Sequence, residues 1–357
     1  MTVRKIETRT LIVERVVARI LVYSAAFFPN VGGLEMMAFL IARELSRLGH
    51  DVKLLTTTKS QQRDEYPFAV FRAPSSLALI SAVQWSEVVL QFNVNLKAIW
   101  TWALVARPLV ISHQSLYHRA SGRRAWRDRL KFFVASKATN IAISPYVGKY
   151  LQGRVTVIPN TYDEDMFREK LNIKRDRDFL FVGRLVSDKG GDDFVNAFAA
   201  IVRDRPAATA TIVGAGPESD TLKALVRQQG IEERMQFWGA LRGEQLVDAM
   251  NQHKYLVVPS RWDEPFGIVA LEAIACGCVV IGSSGGGLGY AIGVCGMTFP
   301  NRDVLALTRC MDEALSNPRL REHYGKSFSR HLAERRPSAI ARSYEAVLLD
   351  AIARFAK

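Results

Sequence analysis

Three groups of residues in this chain of 357 have types and spacings that could handle a phosphorylated ligand. The first is the run G-R-L-V-S-D-K-G from Gly183 to Gly190. Arg184 can bind two phosphate oxygens at once, and Lys189 adds a point charge, so the pair suits a diphosphate. The same two side chains also read as ordinary surface cations in a loop. The second is E-P-F-G-I-V-A-L-E from Glu264 to Glu272. Pro265 tolerates a first helical turn, which puts Glu264 in the loop before a helix and Glu272 about two turns inside it. The free amides of Phe266, Gly267 and Ile268 would then face an anion between the two carboxylates. A helix-capping Glu264 and a solvated Glu272 fit the spacing as well. The third is Gly32-Gly33, whose unobstructed amides could approach a phosphate or simply form a tight turn. It is not the G-x-G-x-x-G fingerprint of dinucleotide binding.

The elements that must position these groups alternate between strand and helix. Residues 19–24 form a short apolar run, followed by the glycine pair and by Leu34, Met37, Ala38, Ile41, Ala42, Leu45 and Leu48 at helical spacing. Strands are expected at 51–57, 88–92, 108–112, 139–143 and 155–160, with helices at 96–105 and 124–135 between them. A charge-dense stretch, 161–178, follows. The alternation then restarts with strands at 179–182, 209–213, 235–238, 255–258 and 278–281. Helices at 193–202, 220–229 and 266–275 separate them. Such alternation argues for parallel βαβ units, hence an α/β chain with two doubly wound, Rossmann-like modules. The expected division is 1–160, 161–337 and a final helix, 338–357, whose apolar stripe sends it back onto the first module. In folds of this kind a ligand sits at the carboxyl ends of the strands, here in the cleft between modules.

Composition narrows the class further. An apolar share of 48% and a charged share of 23% are those of a folded globular protein. Four cysteines, Cys276, Cys278, Cys295 and Cys310, lack zinc-like spacing and read as reduced thiols. No apolar run is long and uncharged enough for a spanning helix, and the first fifteen residues lack a signal-peptide core, so a cytoplasmic location is expected. The net charge of +13 is unevenly placed: up to Asn160 there are 22 Lys and Arg against 9 acids, and thereafter 26 of each. An acidic substrate, an anionic membrane or a nucleic acid on that side would account for it.

The order of the motifs carries more than any one of them. G-G-x-E at Gly32–Glu35, G-R-x-x-x-x-K-G at Gly183–Gly190, G-x-G-P at Gly214–Pro217 and E-P-F-G-x-x-x-x-E at Glu264–Glu272 together resemble the family 4 retaining glycosyltransferases of the GT-B fold. The resemblance runs from about Arg19 to about Arg330. It implies transfer from a UDP- or GDP-linked sugar to a glycan or lipid-linked acceptor in cell-surface polysaccharide, lipopolysaccharide or glycolipid synthesis. It also implies catalytic roles for His113, Arg184, Lys189 and Glu264. Donor binding falls to Gly32, Gly33, Gly183, Gly214, Phe266, Gly267, Ile268, Val269 and Glu272, with Glu264 holding sugar hydroxyls and Glu272 the ribose. No metal and no cofactor are expected, because cations and helix dipoles can stabilise the departing diphosphate. Two positions depart from the family. Gly286-Gly287-Leu288-Gly289-Tyr290 lacks the usual Pro-Glu, and Thr161 stands where a glycine is usual.

The segment after His113 is basic: Arg119, Arg123, Arg124, Arg127, Arg129, Lys131 and Lys137 face Asp128 alone. With Trp126, Leu130, Phe133 and Val134 at spacings of three and four, it reads as an interfacial helix for an anionic membrane surface, peripheral on the inner face of the plasma membrane. It reads equally as a core-facing helix with a charged outer side. Two further functions stay open on sequence alone. One is a GT-B-fold nucleotide-sugar epimerase. The other is a basic nucleic-acid-binding protein, although no nucleic-acid motif accompanies the charge and no nucleic-acid partner is expected.

Overall fold

The computed structural model describes residues 16–357 except 31, 62–63, 97–99, 102–103 and 117–125, and no side chains for 126–128. Two all-parallel sheets organise the chain, in the orders β3-β2-β1-β4-β5-β6-β7 and β10-β9-β8-β11-β12-β13. The first contains β1 (Arg19–Ser24), β2 (Asp51–Thr56), β3 (Ala69–Arg72), β4 (Val88–Phe92), β5 (Leu109–His113), β6 (Thr139–Ala142) and β7 (Arg154–Val157). Its described helices are α1 (Gly33–Arg47), α2 (Ser76–Trp85), α3 (Trp126–Lys137) and the single turn α4 (Pro145–Gly148). The central strands are buried on both faces, which is why they read as unbroken apolar runs.

The second sheet contains β8 (Arg177–Val182), β9 (Ala210–Val213), β10 (Met235–Gly239), β11 (His253–Val258), β12 (Val279–Ser283) and β13 (Gly296–Phe299). Around it lie α5 (Gly191–Asp204), α6 (Ser219–Gln229), α7 (Glu244–Gln252), α8 (Ile268–Ala275), α9 (Leu288–Ile292) and α10 (Val304–Ser316). Strand order reverses between β1 and β4 in one sheet and between β8 and β11 in the other, so each offers a crevice at its strand ends. Two Rossmann-like domains are therefore present, as the alternation predicts. The cysteines are all free, three of them buried.

After α11 (Leu320–Gly325) and α12 (Phe328–Ala333), the last helix, α13 (Pro337–Phe355), leaves the second domain. It packs Ile340, Tyr344, Leu348 and Ala351 into the first domain's core. Burying each large side chain of that stripe contributes about 1.5–3 kcal/mol. Glu345 adds a polar tie. His50 accepts the Ala18 N–H at Nδ1, which leaves its Nε2 proton for Glu345 at 3.0 Å. Closer to the cleft, Ser144 donates to the Pro265 carbonyl at 2.7 Å, and Tyr146 donates to Asp263 at 2.8 Å.

Candidate functional site

The Gly183–Gly190 loop leaves the end of β8 and ends in a short 3-10 turn, Ser187–Lys189, before α5. Gly190 closes it at φ 68°, where a Cβ would lie 2.1 Å from the Pro259 carbonyl oxygen. Only glycine meets both conditions, so this residue fixes where Lys189 points. Gly214 lies behind the loop and does not line the cleft. A Cβ on it would come 1.9 Å from the Gly183 oxygen, so its absence lets the loop sit down on the sheet. Gly214 thus has a packing role behind the cleft wall.

Pro265 does not begin the helix that the sequence predicts. Gly267, at φ 101°, precedes α8, which starts at Ile268 and carries Glu272 one turn in. The three residues gained are spent in a loop that Gly286 and Gly287 support from below. Glu264 pairs with Gly286 as an isolated bridge, and Gly287 donates its N–H to the Glu264 carbonyl at 2.6 Å. Gly286 sits at φ 72°, and a Cβ there would stand 2.3 Å from that carbonyl oxygen. Thus the glycine run that departs from the family pattern carries the Glu264 loop. The Glu264 carboxylate accepts from Lys189 Nζ, and from Ser260 Oγ at 2.7 Å.

A cleft of about 590 Å³ lies between the domains. Arg184, Lys189, Glu264 and Glu272 line it, with Gly183 and Phe266–Val269 on the same side and Gly32 and Gly33 opposite. The starts of α1 and α8 meet there: a Cβ on Gly33 would touch Ile268 Cδ1 at 3.1 Å. Two helix N-termini, each a positive dipole end, therefore face the cleft that Arg184 and Lys189 also line, although Glu35 sits in the first turn of α1. Such an arrangement can hold an anion. Glu272 is the opposite kind of group. Burial, helped by the charge of Asp163, pushes its carboxyl up to about 7.

His113 stands elsewhere than expected. It ends β5 fully buried, does not line the cleft, and engages Asn140 Oδ1 through Nε2 at 2.8 Å. Burial lowers its pKa to about 4, so the ring is neutral. Strand alternation explains the difference: residues 112 and 114 share one face and 113 takes the other. Asn93, Gln114 and Ser115 line the cleft instead. Motif matching missed them because it stops at the histidine. The two-residue period, applied one residue further, points to Gln114.

Arg119, Arg123 and Arg124 lie outside the described residues, as do the side chains of Trp126 and Arg127. Lys131 is half-buried on α3. The apolar face expected here splits: Val134 is buried at 4%, whereas Phe133 is 61% and Leu130 38% exposed. Among the described residues, no helix is long and apolar enough to cross a membrane.

Comparison with known proteins agrees with this geometry. Residues 31–166 match the family model described as Glycosyltransferase Family 4, and residues 163–330 match Glycosyl transferases group 1. The chain is 34% identical to the 2-deoxystreptamine N-acetyl-D-glucosaminyltransferase of Streptomyces fradiae, over 82% of this chain and 84% of that one. It is 28% identical to a glycogen synthase of Mycobacterium tuberculosis, covering 80% and 69% of the two chains. Among solved structures, Anabaena HepE in complex with UDP and glucose superimposes with a TM-score of 0.76. That match has 18% identity and covers 93% of this chain and 99% of HepE.

Proposed function

The chain belongs to the group 1, family 4 glycosyltransferases, and we propose that it is a retaining, metal-independent hexosyltransferase drawing on a UDP- or GDP-linked sugar. The acceptor in this reading is a glycan or lipid-linked glycan of cell-surface polysaccharide or glycolipid synthesis. With transferases as relatives, the epimerase alternative falls away. The observation that carries the reading is the convergence of two helix starts with Arg184 and Lys189 on one end of the cleft. Breaking a sugar–phosphate bond leaves negative charge on the diphosphate. Fixed donors already aimed at that charge lower the barrier, each by about 3–4 kcal/mol in comparable sites.

In this reading Glu264, held by Lys189 and Ser260, takes hydroxyls of the donor sugar. Glu272, further along α8 and also lining the cleft, takes the ribose. The cationic groups at the diphosphate do the work a divalent ion would otherwise do. The exposed Phe133 and Leu130 beside Lys131 support peripheral attachment to an anionic membrane surface. One experiment tests the core of the reading. The protein is incubated with UDP-glucose, UDP-N-acetylglucosamine or GDP-mannose and a glycan acceptor, with and without EDTA, and the product's anomeric configuration is read by NMR. An inverted product, or activity abolished by EDTA and restored by a divalent ion, would remove the mechanism proposed.

A further inference from the structure

The cleft wall supplied by the first domain holds an amide whose orientation is fixed by its partners. Asn93 Oδ1 accepts the main-chain N–H of Gln114 at 2.8 Å and that of Ser115 at 3.2 Å. Backbone N–H groups only donate, so the oxygen and nitrogen of this amide cannot be exchanged. Its Nδ2, with two N–H bonds, makes no hydrogen bond to the described residues. Asn93 sits at φ 56°, a left-handed conformation that asparagine adopts more readily than most residues. Gln91 Nε2 holds it there by donating to its carbonyl at 3.0 Å. Beside it, Gln114 Nε2 donates to Ser112 Oγ at 2.8 Å, and Ser112 in turn shares a 2.7 Å bond with the buried Tyr344 hydroxyl of α13. The Gln114 side chain also bonds the Tyr344 hydroxyl, and its Oε1 accepts no hydrogen bond from the described residues.

Among the described residues this wall carries no charged side chain and offers a donor next to an acceptor, while Arg184 and Lys189 line the side formed by the second domain. Phosphate oxygens only accept, and are served on the far side. A sugar hydroxyl both donates and accepts, and matches the Asn93–Gln114 pair. We propose that Asn93 and Gln114 are the residues through which this enzyme recognises a sugar-ring hydroxyl, on the wall where His113 was expected. The inference rests on the glycosyltransferase reading above. The hydroxyl belongs either to the transferred sugar or to the acceptor, and kinetics separate the two.

Asn93→Asp keeps an oxygen for the two backbone N–H groups but removes the free amide donor. Gln114→Met removes the acceptor, together with the amide's bonds to Ser112 and Tyr344, without adding charge. Wild-type binding of UDP or GDP is measured first; its absence would overturn the glycosyltransferase reading itself. The donor used is whichever of UDP-glucose, UDP-N-acetylglucosamine and GDP-mannose the wild type turns over fastest. Gln114→Met should bind the free nucleotide within about twofold of wild type, and both variants should lose about tenfold or more in kcat/KM, the scale of one directed hydrogen bond. A rise in KM for the donor assigns the hydroxyl to the transferred sugar, and a rise in KM for the acceptor assigns it to the acceptor. Turnover and both KM values within twofold of wild type in both variants would overturn the inference. So would a tenfold loss of nucleotide affinity in Gln114→Met, since that marks general distortion of the cleft.

Discussion

Thr161 donates its hydroxyl to the main-chain carbonyl of Arg335 at 2.6 Å. One residue lies where the chain first passes between the domains and the other where it turns back, two residues before α13. The bond thus stitches the two crossings together at a position where the family usually has glycine. Thr161 is fully buried and its own N–H points at Met37 Sδ at 3.4 Å, so the linker is fastened to α1 as well. Asn160, not Thr161, lines the cleft.

The first prediction concerns that stitch. Thr161→Val should cost about 1–3 kcal/mol, the penalty for a buried carbonyl left without its donor. The melting temperature should fall by several degrees while affinity for the free nucleotide stays close to wild type. A variant as stable as wild type would show that the hydroxyl carries no weight there.

Lys189→Ala and Glu264→Ala address the chemistry. If Lys189 faces the donor diphosphate as proposed, losing its charge should lower kcat by about 10²–10³. Their ion pair is partly open to solvent, with side-chain exposures of 25% and 12%, and truncation leaves no core cavity. The melting temperature should therefore move much less than turnover does. Near-wild-type turnover in either variant would show that the pair is not catalytic.

How much of this was legible beforehand varied with the physical source of the signal. Strands β1, β8 and β11 and helices α1 and α6 were readable because periodicity marks buried faces. Helices α2 and α7 and strands β3 and β13 did not stand out, and α2 is apolar almost all round. The start of α8 was misplaced because Pro265 is compatible with a first turn, and only the bridge to Gly286 shows that the loop runs on. Arg184, Lys189, Glu264 and Glu272 line the cleft together, but their spacing alone suited surface cations and a helix cap as well, and only the order of the motifs singles them out. Asn93 escaped notice because its place depends on a hydrogen bond between neighbouring strand ends, a relation without sequence spacing of its own.

Glu272 gives a pH prediction. Its folded pKa, about 7, lies above the ordinary carboxylate value. The folded state therefore favours the protonated form, and this group's contribution to stability is lost as pH rises through about 7. Nucleotide binding has the opposite sign if the carboxylate accepts from ribose hydroxyls, because the charged acceptor is the stronger one. UDP affinity should then increase between pH 6 and 8, and Glu272→Gln should flatten that profile and stabilise the free protein at pH 8. Titration calorimetry at several pH values checks it, and an identical profile in the variant would remove Glu272 as the cause.

The last prediction concerns the membrane. Phe133 and Leu130 are apolar, exposed and adjacent on α3, in the part of the chain where Arg123, Arg124, Arg127 and Lys131 concentrate positive charge. An interfacial helix draws on both terms, and they respond differently to salt. Each basic residue near an anionic surface contributes about 1 kcal/mol that screening weakens, whereas buried apolar area is insensitive to ionic strength. Vesicles containing phosphatidylserine should therefore bind the protein strongly in low salt and weakly, but measurably, in high salt. Replacing Arg123, Arg124 and Arg127 by Ser should abolish most of the salt-sensitive part. Leu130→Ser with Phe133→Ser should abolish the residue that survives high salt, and should cost little stability because neither side chain is in the core. Hydrolysis of the donor in solution should be unchanged in the Leu130 and Phe133 variant, since no described side chain of α3 lines the cleft. Equal vesicle binding by wild type and both variants in flotation assays would exclude α3 as the attachment surface and leave it as a helix that covers its sheet with Val134 and Ala135.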